Sequence, residues 1–473
     1  MRTKYILLLL IPVYFSNLAF ADEKFAKSFV GVFNEGSRTE VIKYLQKNMS
    51  KSQTERYGID AHVGVLLNQQ NTFGQLEVQK HLSAENGNER VRVISSNNDL
   101  EYNLMINRER KSPFKINYFT FEDVTSDAQK LTTITAQELK QKLTNFIDKL
   151  ARNEAFSGVV LVAEGKDVLF QEAVGYANRP WRVKNEVETK FSLGSMNKMF
   201  TAVAALQLIE QGKLKFEDKL IDFVDTSWLP QGEVEAITVR HLLTHTSGFG
   251  NFFNDEFNKS NKEAYRDLTA YKPLVSSSPL LFSPGTQNRY SNSGMLMLGL
   301  VIESVTGTSY YDYVQENIYN KAGMINTGSF ELDSSNQNLA TGYLKRSYSD
   351  DWVNSIYTRA IKGSPAGGGF STVGDLHKFA IALTEYKLLS KELTEEAYSE
   401  KTDYNSAFWY GYGFSVSGEP NNRIVGHGGA YLGVDARLDI YLDKAFTVVI
   451  LANQSDTVAP VRRKINELIA RYR

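Results

Sequence analysis

The stretch Met199–Leu208 constrains this chain more than any other, because it is apolar almost all the way round a helix. Met199, Phe200, Val203, Leu206 and Ile209 fall on one face, and Ala202, Ala205 and Leu208 make most of the remainder apolar too. A helix of that kind is stable only when enclosed, so it predicts a core large enough to surround it. Gly212 is a suitable C-terminal stop. Just before the apolar run stand Ser195 and Lys198. On a helix they lie one turn apart on one face, with Cβ atoms about 5–6 Å from each other. A second Ser-x-x-Lys, Ser112–Lys115, opens an alternating stretch that reads as a turn entering a strand. Strand residues alternate faces, so that pair diverges.

The N-terminus reads as an export signal. Arg2 and Lys4 precede an apolar run, and Ala19-Phe20-Ala21 precedes acidic residues, so a cut after Ala21 is expected. The apolar run is short for a span. No membrane insertion is expected once the signal is removed, and the periplasm is the expected compartment. The absence of cysteine excludes thiol chemistry, disulfides and lipid attachment at a signal cysteine. A formal net charge of −1 without long charge runs argues against nucleic acid as a partner.

Three parts follow from the patterning: the signal, residues 1–21; a small α+β domain, residues 22–128; and a large domain, residues 129–473. The small domain shows helical pattern from 25 to about 49, then alternating segments RVRVI, LEYNLMI and FKINYFTF. The large domain opens on a helix capped by Thr135 and Glu138, with a stripe of Leu139, Leu143, Phe146, Ile147 and Leu150. A hairpin is expected around Gly165-Lys166 and a second strand pair around Asp443-Lys444. Helix and strands at both ends of a mostly helical middle predict one antiparallel sheet built from both termini, with a helical subdomain.

Three further stretches carry chemistry-bearing residues. NRYSNSG places Tyr290 and Asn292 before an apolar helix; SPAGGGFSTVGDL precedes another; VGHGGA puts His427, Gly428, Gly429 and Ala430 at the entry to a late strand. Gly-x-Ser-x-Gly, the nucleophile turn of α/β-hydrolases, is absent. His241 and His245 have the spacing of a zinc pair but lack the adjacent glutamate of the metalloprotease helix, so a structural role is expected and no metal or cofactor.

Taken in order, Ser-x-x-Lys, Tyr-x-Asn and His-Gly-Gly resemble the serine β-lactamase and penicillin-binding superfamily. The match is closer to its class C-like branch, with D-aminopeptidases, alkaline D-peptidases and family VIII esterases. HLLTHTSGFG, SPGTQNRYSNSG and GGGFSTVGDL look like connecting motifs of that branch. The resemblance covers residues from about 135 to the C-terminus and implies a β-lactamase/transpeptidase-like α+β fold.

It also implies an acyl-enzyme on Ser195, with Lys198 and Tyr290 handling protons. Asn292 would hold Lys198 and the substrate amide, and the backbones of Ser195 and Ala430 would form the oxyanion hole. Either a neutral Lys198 or a Tyr290 phenolate beside a charged Lys198 serves as the base. Gly428 and Gly429 are expected to keep the strand clear for substrate. His427 stands where lactamases and transpeptidases usually carry lysine. A neutral imidazole suits an ester or amide better than the carboxylate of a β-lactam, and acidification toward pH 6 is expected to restore the cation. The implied partner is a small or peptide-like acyl substrate.

Overall fold

The computed structural model describes residues 16–35, 37–85, 88–111, 113–124, 132–345, 352–405, 408–419 and 421–473. The first fifteen residues of the expected signal lie outside these; helix α1, Ser16–Glu35, runs through the expected cut at Ala21. Among the described residues no helix is long and apolar enough to cross a membrane.

The chain divides into two compact units. In the first, α1 is followed by α2 (Arg38–Asn48), α3 (Lys51–Tyr57) and α4 (Ile59–Phe73). Four strands follow, β1 (Leu76–Glu85), β2 (Asn88–Ser95), β3 (Glu101–Arg108) and β4 (Ile116–Asp123). They pair in chain order as an antiparallel meander. The alternating segments are β2, β3 and β4; β1 and the two later helices carry weaker patterns and were not anticipated. Val91 and Val93 of β2, Leu104 and Ile106 of β3, and Phe29, Phe33 and Leu66 of the helices form one buried cluster. Lys115 lies just before β4, and its would-be partner Ser112 is outside the described residues.

The second unit holds Thr132–Leu344 and Trp352–Arg473. It begins with α5 (Ala136–Arg152), whose Thr135–Glu138 capping box forms as expected and whose apolar stripe is buried. The hairpin β5 (Gly158–Glu164) and β6 (Asp167–Val174) follows. The apolar helix is α6 (Asn197–Glu210). Three later helices are α7 (Val239–Leu243), α8 (Asn292–Thr306) and α9 (Val373–Thr384). Six strands close the sheet: β7 (Thr402–Asn405), β8 (Phe408–Tyr410), β9 (Ser415–Ser417), β10 (Ile424–Tyr431), β11 (Val434–Tyr441) and β12 (Phe446–Ala452). The chain ends in α10 (Val458–Arg471).

The sheet order is β7-β8-β9-β10-β11-β12-β5-β6, antiparallel throughout. Strands from the two ends of the unit meet where β12 pairs with β5, Gly158 opposite Ala452. This is the sheet the sequence predicts. Both faces of β5 are covered, which is why it reads as a continuous apolar run rather than an alternation. Val159, Leu161 and Ala163 pack in the cluster that encloses α6, while Val160 and Val162 are equally buried outside it. Residues Met199 to Leu206 of α6 are all fully buried.

Candidate active site

Ser195 lies outside α6. The residues Gly194–Met196 form a 3₁₀ turn and the α-helix begins at Asn197. Ser195 therefore stands in the 3₁₀ turn, three residues before Lys198 on the first turn of α6. Leu193 donates to the Gly369 carbonyl at 2.7 Å, and Gly368 to that of Gly194 at 3.0 Å, fixing both sides of the turn. Ser195 is only partly buried, and its hydroxyl makes no hydrogen bond among the described residues.

The glycine-rich loop before α9 is gripped by the first turns of α6. Three successive carbonyls accept from three α6 side chains: Ser364 from Asn197 Nδ2 at 3.1 Å, Pro365 from Thr201 Oγ1 at 2.8 Å, and Ala366 from Lys198 Nζ at 2.6 Å. Lys198 also donates to Asn292 Oδ1 at 2.7 Å, and Asn292 Nδ2 donates to Asn251 Oδ1 at 3.0 Å. Lys198 is fully buried with no carboxylate paired to it among the described residues. An uncompensated buried ammonium is expensive, and burial alone lowers the Lys198 pKa well below that of a free lysine.

Tyr290 lies just before α8, and Lys198 Nζ sits 4.5 Å from its ring centroid. The Tyr290 ring meets three others: His245 at 4.5 Å, His427 at 6.3 Å and Tyr410 at 6.5 Å between centroids. His427, on β10, shares a short Nδ1 hydrogen bond with the Gly428 carbonyl, which can only accept. Nδ1 therefore carries the proton, and Nε2 accepts the Tyr410 hydroxyl at 3.1 Å. Burial, with the nearby Lys198 adding to it, pushes the His427 pKa down to about 3. The expectation that mild acid restores a cation here is therefore corrected: the imidazole is enclosed and stays neutral at pH 6.

Sequence reasoning assigned no catalytic place to His245. It sits past the end of α7 with φ +58°, a region unusual for a residue with a side chain. Its Nδ1 accepts the Ser291 amide at 3.3 Å, and its buried Nε2 has no partner among the described residues. Its ring also lies 4.7 Å from that of Tyr410. His241 takes another path: it closes a capping box with Thr238 at the start of α7. Asn251, the Ala366 carbonyl and Tyr410 were equally missed: the first two come from loops and the third from the end of β8, and no local pattern announces that they meet Asn292, Lys198 and His427.

The two glycines of His-Gly-Gly differ. A Cβ on Gly429 would fall 1.8 Å from the Leu193 carbonyl oxygen and 2.9 Å from the Ser195 nitrogen. Gly429 is thus required by the turn that carries Ser195. A Cβ on Gly428 would meet no protein atom closer than 3.4 Å, so within the protein that position has room for a side chain. β9 pairs with β10 only as far as Gly426, leaving the later part of β10 for the Ser195 turn to approach. A Cβ built on Gly194 would lie 3.0 Å from the Ala430 amide nitrogen. Ser195 and Ala430 line one cleft with Gly367 and Arg359, of about 610 Å³ including its mouth. The structure thus brings Lys198, Tyr290, Asn292 and His427 into one cluster, and Ser195 and Ala430 into one cleft beside it.

Comparison with known proteins agrees with this fold. The beta-lactamase family model matches residues 143–471, and the chain belongs to that family. It is 29% identical over 334 residues to penicillin-binding protein 4* of Bacillus subtilis, covering 68% of this chain and 73% of the relative. It is 26% identical over 312 residues to teichoic acid D-alanine hydrolase of Staphylococcus aureus, covering 65% and 72%. The crystal structure of a penicillin binding protein from Bacillus halodurans matches with a TM-score of 0.63 at 30% identity, covering 70% of this chain and 98% of that one.

Proposed function

We propose that this protein is an exported serine hydrolase that opens an ester or amide through an acyl-enzyme on Ser195. The observation that carries the reading is the environment of Lys198. A neutral amine has two N–H donors and one lone pair. Both donors are taken, by Asn292 Oδ1 and the Ala366 carbonyl, which leaves the lone pair for the Ser195 proton. Burial favours the neutral form. Of the two bases left open by the sequence, this favours Lys198.

In the reaction the Ser195 oxygen attacks the acyl carbon while its proton passes to Lys198. The carbonyl oxygen gains charge facing the amides of Ser195 and Ala430, and donors fixed in advance stabilise it without reorganisation. Tyr290, over Lys198, relays the proton to the leaving oxygen or nitrogen. Water then repeats the sequence in reverse and frees Ser195. The neutral His427 offers no fixed charge to a carboxylate beside the scissile bond. Esters and uncharged amides are therefore preferred over β-lactams. The staphylococcal relative named as a D-alanine hydrolase of teichoic acid fits that preference.

A second reading, slow acylation of Ser195 by penicillin, is favoured by the names of two of the relatives. A fluorophosphonate probe with peptide mass mapping tests the nucleophile. The adduct is expected on Ser195, and Ser195→Ala should lose turnover of p-nitrophenyl acetate by at least ~10³-fold. An adduct elsewhere, or undiminished turnover, overturns the assignment. Comparing kcat/KM for that ester with a chromogenic cephalosporin separates the two readings.

A further inference from the structure

One cation in the active-site cleft has no assigned partner. Arg359 lies on the loop between Trp352 and Phe370, and its guanidinium stands 5.2 Å from the Phe370 ring centroid. Its Nε and Nη1 are buried and make no hydrogen bond among the described residues. The neighbouring carboxylates are already engaged: Glu331 by Arg266 and Lys362, and Asp333 by Arg266. The Tyr431 hydroxyl, also in the cleft, donates to the Thr358 carbonyl rather than accepting from Arg359. Burial lowers the Arg359 pKa to about 10, which leaves it charged at neutral pH.

Buried guanidinium donors without an acceptor are costly and rare. The cost is removed when a ligand supplies oxygen anions, and the planar fork of arginine fits carboxylate and phosphate groups in a bidentate way. Arg359 lines the same cleft as Ser195. It also lines a second cleft of about 830 Å³ shared through Leu332 and Ile361, walled by Tyr357 and Lys262. An acyl group on Ser195 that extends along the first cleft meets Arg359 where the two join.

We propose that Arg359 is a substrate-recognition residue that binds an anionic oxygen group, carboxylate or phosphate, carried by the substrate away from the scissile bond. This deepens the reading of Ser195 as the nucleophile and rests on it. It also places the recognised charge at the opposite kind of site from a β-lactam carboxylate, since His427 stands in for that cation and is not among the cleft-lining residues.

The first test uses the unaltered protein. Benzoate, phenylphosphonate and neutral benzamide are compared as competitive inhibitors of p-nitrophenyl acetate hydrolysis. At least one anion should inhibit at a concentration ten or more times lower than benzamide, and whichever is tighter identifies the source of the charge. Equal inhibition by all three overturns the proposal. The second test reads the ratio of kcat/KM for the p-nitrophenyl monoester of glutaric acid to that for p-nitrophenyl butyrate. Arg359→Gln should lower this ratio about 10- to 100-fold, in the range of a charge-assisted hydrogen bond, and Arg359→Lys should lower it less. A ratio unchanged within twofold in a folded Arg359→Gln overturns the proposal, while continued turnover by Ser195→Ala overturns the underlying nucleophile assignment instead.

Discussion

At the residue scale, His427 shows how surroundings override a side chain's ordinary behaviour. Its pKa falls from 6.5 to about 3, so above pH 6.5 it is neutral both folded and unfolded and has no effect on stability. As pH falls below 6.5 the unfolded chain takes up a proton that the folded one refuses, and stability declines until about pH 3. At ~1.4 kcal/mol per pH unit the loss reaches roughly 4–5 kcal/mol. Thermal unfolding followed from pH 7 to pH 3.5 should show a shallower loss of Tm in His427→Gln than in the parent protein. Catalysis answers to a different group. On the mechanism proposed above Lys198 serves as base only when neutral, so kcat/KM for a neutral ester should fall tenfold per pH unit below the lowered Lys198 pKa. The ester-to-cephalosporin preference should be constant from pH 8 to pH 6, since His427 does not charge in that interval. A preference that narrows on acidification would show the imidazole to be accessible to protons.

At the scale of elements, the nucleophile's position depends on the contact between a short turn and one strand. A methyl group on Gly429 would strike the Leu193 carbonyl, which is backbone and cannot swing aside. β10 or the turn must shift, and a displacement of about 1 Å near the reacting atoms can cost ~10²-fold in rate. Gly429→Ala should therefore lose at least that much in kcat/KM, with Gly428→Ala losing far less. Equal losses would return the requirement to the substrate side. The pattern of apolar residues made α6, the β5–β6 hairpin and the C-terminal strands legible in the sequence, because each has an unbroken hydrophobic period. The motif order made Lys198, Tyr290, Asn292 and His427 legible as one group. The 3₁₀ turn under Ser195 was not legible, because an i,i+3 spacing is shared by both helix types. Nor were the roles of Tyr410 and Asn251, which depend on how β8 lies near β10 and on where a loop returns to Asn292.

On the scale of the whole molecule, the two units have separate buried clusters, among them one around α6 and one between the meander and its helices. The constellation at Ser195 draws only on the second unit. We expect a chain beginning at Thr132 to keep turnover of p-nitrophenyl acetate within about threefold. Calorimetry of the full chain should resolve two unfolding transitions, as expected of separate cores. A shortened chain that folds yet loses turnover would give the first unit a part in shaping the site.

The pairing of β5 with β12 also has a consequence for the order in which the protein is made. Gly158 waits for Ala452, so the sheet stays divided until almost the whole polypeptide has left the ribosome. Until then β5 presents a bare edge and half a core, and such long-range pairing is slow to form. The growing chain is therefore exposed to aggregation for most of its synthesis. That same delay keeps the catalytic unit open and threadable, which is the condition a polypeptide must be in to cross a membrane before it folds.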